Sequence, residues 1–385
     1  MTPLALPAHG TAPHGTAPGA TLGAAGPFEA AAVRQARRVR LVLAGLGGLL
    51  VAGALLSVAV GAVGLRPAQL VGILMAQAGL GPAAPAGAAA FTAQEASVLL
   101  AIRLPRVLLS VVVGAGLAVS GAVMQGLFRN PLADPGLVGV SSGSALGAAG
   151  AIVLGATWGV PAAGALGPVL VAASAFAGGL ATAFVVYRIA TARGRTSVTT
   201  MLLAGIAVNA LCGAGVGALV LFADDGQLRD LTFWTLGSLG GATWGSLAIA
   251  APLVGAAVVA APWLARALDA LLLGEAEARH LGVRTERVKG VAVTLAALAV
   301  AASTAVAGLI GFVGLVAPHL VRLLLGPGHR ALLPASALAG AVLLVFADLV
   351  GRTVLAPVEV PIGIVTAVAG APFFLVLLMR ARPDG

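Results

Sequence analysis

The sequence predicts an all-α integral membrane protein with about ten transmembrane helices. Of its 385 residues, 59% are apolar and only 9% are charged, compared with about 45–50% and about 25% in soluble domains. Apolar runs of about 20 residues follow one another with short polar breaks, and they do not alternate as the strands of a membrane barrel would. The 54 glycines suit closely packed membrane helices, whose backbones approach at small residues. The composition therefore predicts a lipid bilayer as the solvent.

The N-terminal residues 1–33 are predicted to form a disordered tail. They are rich in Ala, Pro, Gly and Thr, and they repeat HGTAP at 9–13 and 14–18. Arginines at positions 34, 37, 38 and 40 then precede an apolar run that is too long for a signal-peptide core. Residues 34–385 are predicted to be one transmembrane domain.

Ten spans are predicted in this domain, at 41–65, 106–127, 138–157, 163–187, 199–222, 241–263, 290–308, 309–326, 333–351 and 361–380. With the tail in the cytoplasm, 17 of the 22 basic residues lie at inside ends and 5 at outside ends, as the positive-inside rule requires. The five outside are Arg66, Arg103, Arg106, Arg229 and Arg352. Both termini are therefore expected in the cytoplasm of a multi-pass protein.

The polar cytoplasmic connection at 264–289 reads LARALDALLLGEAEARHLGVRTERVK. Its helix-forming residues, with Leu273, Ala278 and Leu281 at near-helical spacing, predict a short amphipathic helix at the membrane face. Two interpretations remain open, a plain surface helix stabilised by mixed charges and a docking element for a cytoplasmic partner.

Several classes of function are excluded by residue content. The net charge of +9 does not indicate nucleic-acid binding, because a basic stripe with interleaved aromatic residues is missing. Cys212 is the only cysteine, so the sequence predicts no disulfide framework and no metal site. A P-loop is also excluded, since the only lysine, Lys289, follows Val288 and not glycine. If ATP drives transport, a separate subunit must hydrolyse it.

Two rival functions remain at this point. An ion-coupled carrier acting alone would favour carboxylates buried in mid-span, whereas Asp134, Asp348 and Glu359 lie near predicted span ends. An intramembrane serine hydrolase is the other rival, because Ser141 lies in a G-x-S-x-G and His319 is near hydrocarbon. A nucleophile elbow requires a strand before the turn, and a helix start is predicted there instead.

Six motifs occur in order along the chain: RLPRVLLSVVVGAGLAVSGAVMQGLFRNPLADPGLVGVSSG at 103–143, LLAGIAVN at 202–209, LTFWTLGSLGGATW at 231–244, LGEAEARHLGV at 273–283, GLIGFVGLVAPHLVR at 308–322 and PVEVPIGIVTAVAGAPFFLVLL at 357–378. Together they closely resemble the FecCD-type permeases, the membrane subunits of type II ABC importers for heme, ferric siderophores and cobalamin. GLFRNPLADPGLVGVSS and ADDGQLRDLTFWTLGSLGGATW resemble the hemin-permease branch more than the cobalamin branch.

The resemblance implies a permease, not an enzyme, that moves heme from the periplasm across the bacterial inner membrane. A ferric siderophore or cobalamin is the alternative cargo. The implied assembly is a homodimer of ten-helix subunits embedded in membrane lipid, with two cytoplasmic ATPase subunits and a periplasmic substrate-binding protein. ATP and Mg would bind to the ATPases, and heme would be cargo, so no cofactor is expected on this chain.

The resemblance also implies residue roles. Arg103, Arg106 and Arg352 are expected to meet acidic residues of the binding protein, unless they only snorkel at helix ends. The residues that match the coupling helix, which sits in a cleft of each ATPase, are Gly274, Glu275, Ala278, Leu281 and Gly282.

Candidate path or gate residues are Met124, Gln125, Thr199, Thr200, Asn209 and His319. The two threonines match a cytoplasmic gate loop. The amides of Gln125 and Asn209 either bond between helices or line a path, and His319 is either structural or a transient ligand of heme iron.

Overall fold

The computed structural model describes residues 27–61, 64–80, 87, 90–159 and 166–380. The longer helices are α1 (Pro27–Ala59), α4 (Leu104–Phe128), α5 (Val140–Leu154), α6 (Gly167–Ala190), α7 (Val198–Val220), α9 (Trp244–Ala260), α12 (Thr285–Ala307), α13 (Val313–Leu325), α14 (His329–Thr353) and α15 (Ile362–Arg380). The shorter helices are α2 (Pro67–Gln77), α3 (Ala93–Ser97), α8 (Asp225–Leu236), α10 (Ala265–Leu272) and α11 (Glu275–His280). Strands β1 (Thr191–Ala192) and β2 (Arg195–Thr196) form an antiparallel hairpin between α6 and α7.

The all-α membrane fold is confirmed, and each of the ten predicted spans corresponds to one of the longer helices. Among the described residues, 8 helices are long and apolar enough to cross a bilayer, and the segments Val313–Leu325 and Ile362–Leu377 are shorter apolar helices. The predicted count therefore holds only when both shorter helices are included.

Some predicted boundaries are wrong. Helix α1 begins at Pro27, so residues 27–33 of the predicted tail are helical, while residues 1–26 lie outside the described part of the chain. The same helix ends at Ala59 and not at 65, because Pro67 starts the separate helix α2. Helix α4 is preceded by α3 and a π-helical segment, Val98–Arg103. Residues 381–385 of the predicted domain are also outside the described residues.

Helix α4 is the centre of the bundle, and α9, α12, α13 and α14 all pack against it. Glycine makes these crossings possible. A side chain at Gly121 would overlap the carbonyl oxygen of Gly314 on α13, and one at Gly114 would overlap that of Gly340 on α14. Backbone contact of this kind is how small residues join membrane helices without a hydrophobic driving force.

The connection between α12 and α13 is not helical. Gly308 has φ of 68° and Phe312 has φ of 67°, and the Phe312 ring fills the space that a side chain at Gly370 would need. Helix α13 has 13 residues, so it extends only about 20 Å and is too short to cross a hydrocarbon core of about 30 Å. The end of α8 closes this junction, since Ser238 N donates to Ala307 O and Ile362 N donates to Gly237 O.

Candidate functional site

The three outer arginines meet at one end of the bundle, where α4 begins and the antiparallel α14 ends. Arg106 Nε donates to Asp348 Oδ1 at 2.9 Å, and its two terminal nitrogens bind the Glu359 carboxylate at 2.9 and 3.0 Å. This bidentate contact lowers the pKa of Glu359, which lies between α14 and α15. The Glu359 side chain remains 49% exposed.

Arg103 and Arg352 point towards α1. Arg103 is buried, and its Nη1 donates to Val58 O and Ala59 O at 2.7 and 3.2 Å. Arg352 donates to the carbonyl oxygens of Ser57 and Val60. Both guanidinium groups thus bind carbonyl groups at the C-terminal end of α1, which have no partner within that helix. A role of the three arginines in docking a binding protein stays a prediction.

A small cavity of about 160 Å³ adjoins this cluster. Its lining residues are Arg106, Phe233, Ser238, Leu239, Asp348, Glu359, Val360, Pro361 and Ile362. The cavity therefore lies between the arginine cluster and the α8–α15 junction.

The predicted coupling segment forms a compact turn at the opposite end of the bundle. Gly274 (φ 126°) separates α10 from α11, and Gly282 (φ 82°) separates α11 from α12. Both conformations lie in the region that favours glycine. The backbone conformation therefore explains why glycine occupies these two positions of the coupling motif. Ala278 is fully buried, whereas Leu281 is 65% exposed.

Lys289 holds this segment in place. Its ammonium group lies 2.8 Å from Glu275 and 3.2 Å from Glu286, and it donates to Thr196 O at 2.7 Å. Glu286 also accepts the Thr196 N–H at 2.7 Å. The buried ammonium therefore ties α11, α12 and the β1–β2 hairpin together.

Glu275, which the resemblance assigns to ATPase coupling, also forms ion pairs within the chain. Its carboxylate pairs with Lys289 and, at 3.1 Å, with Arg279 one helical turn later. Sequence reasoning missed the Lys289 network, although the only lysine of the chain, three residues after Glu286, was its available signal.

The gate threonines follow the hairpin at the start of α7. Thr199 is exposed and Thr200 is half-buried. The Thr200 N–H donates to the Ser197 side chain, which caps the helix. They lie beside the Lys289 network, and their role in a cytoplasmic gate stays a prediction.

Gln125 bonds between helices, which decides one alternative that the sequence left open. Its Oε1 accepts from Arg322 Nη1 at 2.9 Å, and its Nε2 donates to Gly314 O at 3.4 Å. The neighbouring Met124 is only 1% exposed within its own chain. In this structure both residues are core residues of α4.

Asn209 is also an interhelical residue. Its side chain pairs with Ser142 Oγ at 2.5 Å and donates to Gly136 O at 3.4 Å. It thereby fixes the loop after α4, where Asp134 caps the 3-10 turn Pro135–Val138 by accepting from Gly136 N. Burial raises the pKa of the Asp134 carboxyl, and this hydrogen bond opposes the shift.

His319 is 8% exposed, and its ring packs edge-on against Phe373 with centroids 6.0 Å apart. Among the described residues neither ring nitrogen has a hydrogen-bond partner. Ser141 is the second residue of α5, and a 3-10 turn precedes this helix, so the strand that a nucleophile elbow needs is not present there. No group of three or more metal-ligating side chains occurs in the described part of the chain.

A second buried polar pair was not predicted. His329 Nδ1 lies 2.7 Å from Asp269 Oδ1, and the His329 N–H donates to the same oxygen at 2.8 Å. The pair joins α10, within the segment at 264–289, to the start of α14. The sequence did not predict this pair, because the two residues are 60 positions apart and neither belongs to a recognisable motif.

The profile of the FecCD transport family matches residues 49–380. The hemin transport system permease protein HmuU of Yersinia pestis is 48% identical over 283 residues, which are 74% of this chain and 83% of that protein. The cobalamin import system permease protein BtuC of Halobacterium salinarum is 49% identical over 279 residues, 72% of each chain. A solved structure described as an inward-facing conformation of a metal-chelate type ABC transporter is 32% identical, with a TM-score of 0.75. That match covers 89% of this chain and 99% of the other.

Proposed function

This chain belongs to the FecCD transport family and is an ABC importer permease, and from that premise we propose that it imports heme. The cargo moves from the periplasm to the cytoplasm and supplies iron. The similarity to a hemin permease over most of both chains is the observation that carries the proposal. Cobalamin is the second candidate, since similarity to a cobalamin permease is equally high.

ATP hydrolysis by two partner subunits powers the proposed transport. The only lysine of the chain is buried and bound to two carboxylates and a carbonyl oxygen, so it is not available to a phosphate chain as a P-loop lysine is. The proposed complex also contains a second copy of the permease and a periplasmic binding protein. Its place is the bacterial inner membrane, with both termini in the cytoplasm.

The proposed docking surface for each ATPase is the turn around α11. Leu273 and Leu281 are 67% and 65% exposed there, and exposed leucines at a rigid turn favour burial in a partner's cleft. The two glycines shape the turn, and Glu275 and Ala278 hold it to the bundle. In this proposal, movement of the ATPase displaces α11, and Lys289 transmits the displacement to α12 and to the hairpin before Thr199. These contacts support the proposal of a gate near Thr199.

The proposed docking face for the binding protein lies around Glu359. Arg106 and Arg352 support this face by holding Asp348 between them. In this proposal the arginines position the loop between α14 and α15, and the loop makes the contact.

ATP-dependent uptake tests the cargo. The permease, its ATPase and its binding protein are reconstituted in proteoliposomes and offered heme, a ferric siderophore or cobalamin. Heme uptake that requires ATP is expected. Uptake of cobalamin or a siderophore without heme uptake would refute the cargo, and uphill transport by the permease alone would refute ATP coupling.

A further inference from the structure

A basic groove of about 440 Å³ lies between the hairpin and the start of α12. Its lining residues are Gly194, Arg195, Arg279, Val283, Arg284, Thr285, Glu286 and Arg287. Half of them are arginines, so the groove carries a strong positive field at the end of the bundle where the positive-inside rule expects the cytoplasm.

The nearby carboxylates do not neutralise this field. Glu286 is held by Lys289 and the Thr196 N–H, and Glu275 pairs with Arg279 and Lys289. Arg195, Arg284 and Arg287 are exposed, and none of the ion pairs found among the described residues includes them. Three guanidinium groups thus line the groove without an acidic partner.

The start of α12 adds to the attraction for an anion. Arg284 is the N-cap residue of this 23-residue helix, and it forms no side-chain cap hydrogen bond. The first-turn N–H groups and the positive end of the helix dipole therefore lie beside the arginines.

An exposed apolar surface continues from the groove along the bundle. Helix α6 runs directly into the hairpin and packs against α12. Phe184 and Ile189 on α6 are 62% and 54% exposed, and Val291, one turn after Arg287 on α12, is 47% exposed. An anion that fits both surfaces has a charged head and apolar chains.

We propose that the groove binds the phosphate headgroup of an anionic phospholipid from the cytoplasmic leaflet, with its acyl chains on the exposed face of α6 and α12. Arginine forms paired, charge-assisted hydrogen bonds to phosphate oxygens, and basic pockets at the cytoplasmic side of membrane helices suit such headgroups. The bound lipid braces the hairpin against the turn around α11. This inference does not depend on which cargo the permease carries.

The test uses the purified full-length permease without its partners, in a neutral detergent. Its thermal unfolding is followed while cardiolipin, phosphatidylglycerol, phosphatidylcholine or inorganic phosphate is added. The test variant is R195Q/R284Q/R287Q. The matched control is R34Q/R37Q/R38Q, which removes the same number of exposed charges from α1, a helix that packs against α14.

Cardiolipin and phosphatidylglycerol are expected to raise the Tm of the wild type and of the control, with little effect from phosphatidylcholine or inorganic phosphate. The groove variant should bind cardiolipin about 100-fold more weakly at low salt, because each of the three basic residues near an anionic surface contributes about a fivefold factor. High salt should reduce the difference between variant and wild type.

Three outcomes would overturn the proposal. Equal stabilisation of the groove variant by cardiolipin would show that the lipid binds elsewhere. Equal protection by inorganic phosphate would identify a free-anion site. Unchanged lipid binding, combined with lost co-purification of the variant with the ATPase in a separate assay, would assign the groove to an acidic surface of that partner.

Discussion

Removal of the Lys289 ammonium tests whether a single buried contact set holds the turn around α11. In K289M the apolar stem is kept, while Glu275, Glu286 and Thr196 O lose a donor at 2.8, 3.2 and 2.7 Å. Loss of one partner from a buried ion pair costs about 3–5 kcal/mol. Water takes over part of the solvation here, because the two carboxylates are 30% and 31% exposed. The expected local destabilisation is therefore about 2–3 kcal/mol.

Limited trypsin digestion measures this quantity, since Arg279 lies within the turn and Arg284 follows it. When cleavage follows the open population, about 2–3 kcal/mol corresponds to roughly 30- to 150-fold faster cutting at these sites in K289M. R330Q, which removes an exposed cytoplasmic-end charge outside the network, should be cut there at the wild-type rate.

The triple variant K289M/E275Q/E286Q separates pairing from packing. It removes both carboxylates that K289M leaves without the ammonium, and Arg279, which loses Glu275, is 47% exposed. Its turn should therefore be cut more slowly than that of K289M. The argument that the ammonium holds the turn by charge would be refuted if K289M were cut at the wild-type rate. It would also be refuted if the triple variant were cut faster than K289M.

Three further predictions follow from other contacts. R106A leaves the buried Asp348 with only Arg352, at 3.6 Å, as an ion-pair partner among the described residues, so it should lower the Tm of the free permease. R106K should restore only part of the lost Tm, because lysine lacks the bidentate geometry of arginine. D134N should be at least as stable as the wild type at neutral pH, whereas D134A loses the cap acceptor and about 1 kcal/mol. Because burial raises the pKa of Asp134 in the folded chain, the cost of its charge is present above that pKa and is removed as pH falls. The wild-type Tm should therefore rise relative to that of D134N on acidification, and parallel pH profiles would contradict this reasoning. G121A should fail to yield a folded permease by size-exclusion chromatography, because its methyl group would overlap the Gly314 carbonyl; a normal elution profile would show that α4 and α13 can separate.

The helical membrane fold was predictable because lipid admits few alternatives. Every backbone polar group must be satisfied within the chain, so each apolar run of sufficient length becomes a helix. The short helix α13 was located correctly, but its length of 13 residues was not predictable, since its apolar run is continuous with the non-helical segment at 308–312. The short helices α2 and α8 were missed because their residues carry no transmembrane pattern.

The candidate site was predictable in its location and less so in its chemistry. The family resemblance placed the arginine cluster at one end and the coupling turn at the other. The sequence did not reveal that Arg103 and Arg352 bind the carbonyl groups of α1. It also did not reveal that Glu275 forms an ion pair with Lys289. Such partners are far apart in the sequence, so no local pattern encodes them.

The sequence by itself determined the solvent, the number of apolar segments and the membership of a transporter family, because these depend on composition and on motifs within single segments. Only the tertiary structure decided which charges are internal and which remain available. Arg106 and Lys289 are held by acidic partners brought close through helix packing, whereas Arg195, Arg284 and Arg287 form no ion pair among the described residues. The reason is that a charge near a membrane is stabilised by whatever lies within a few ångströms in space, and sequence order does not specify those neighbours.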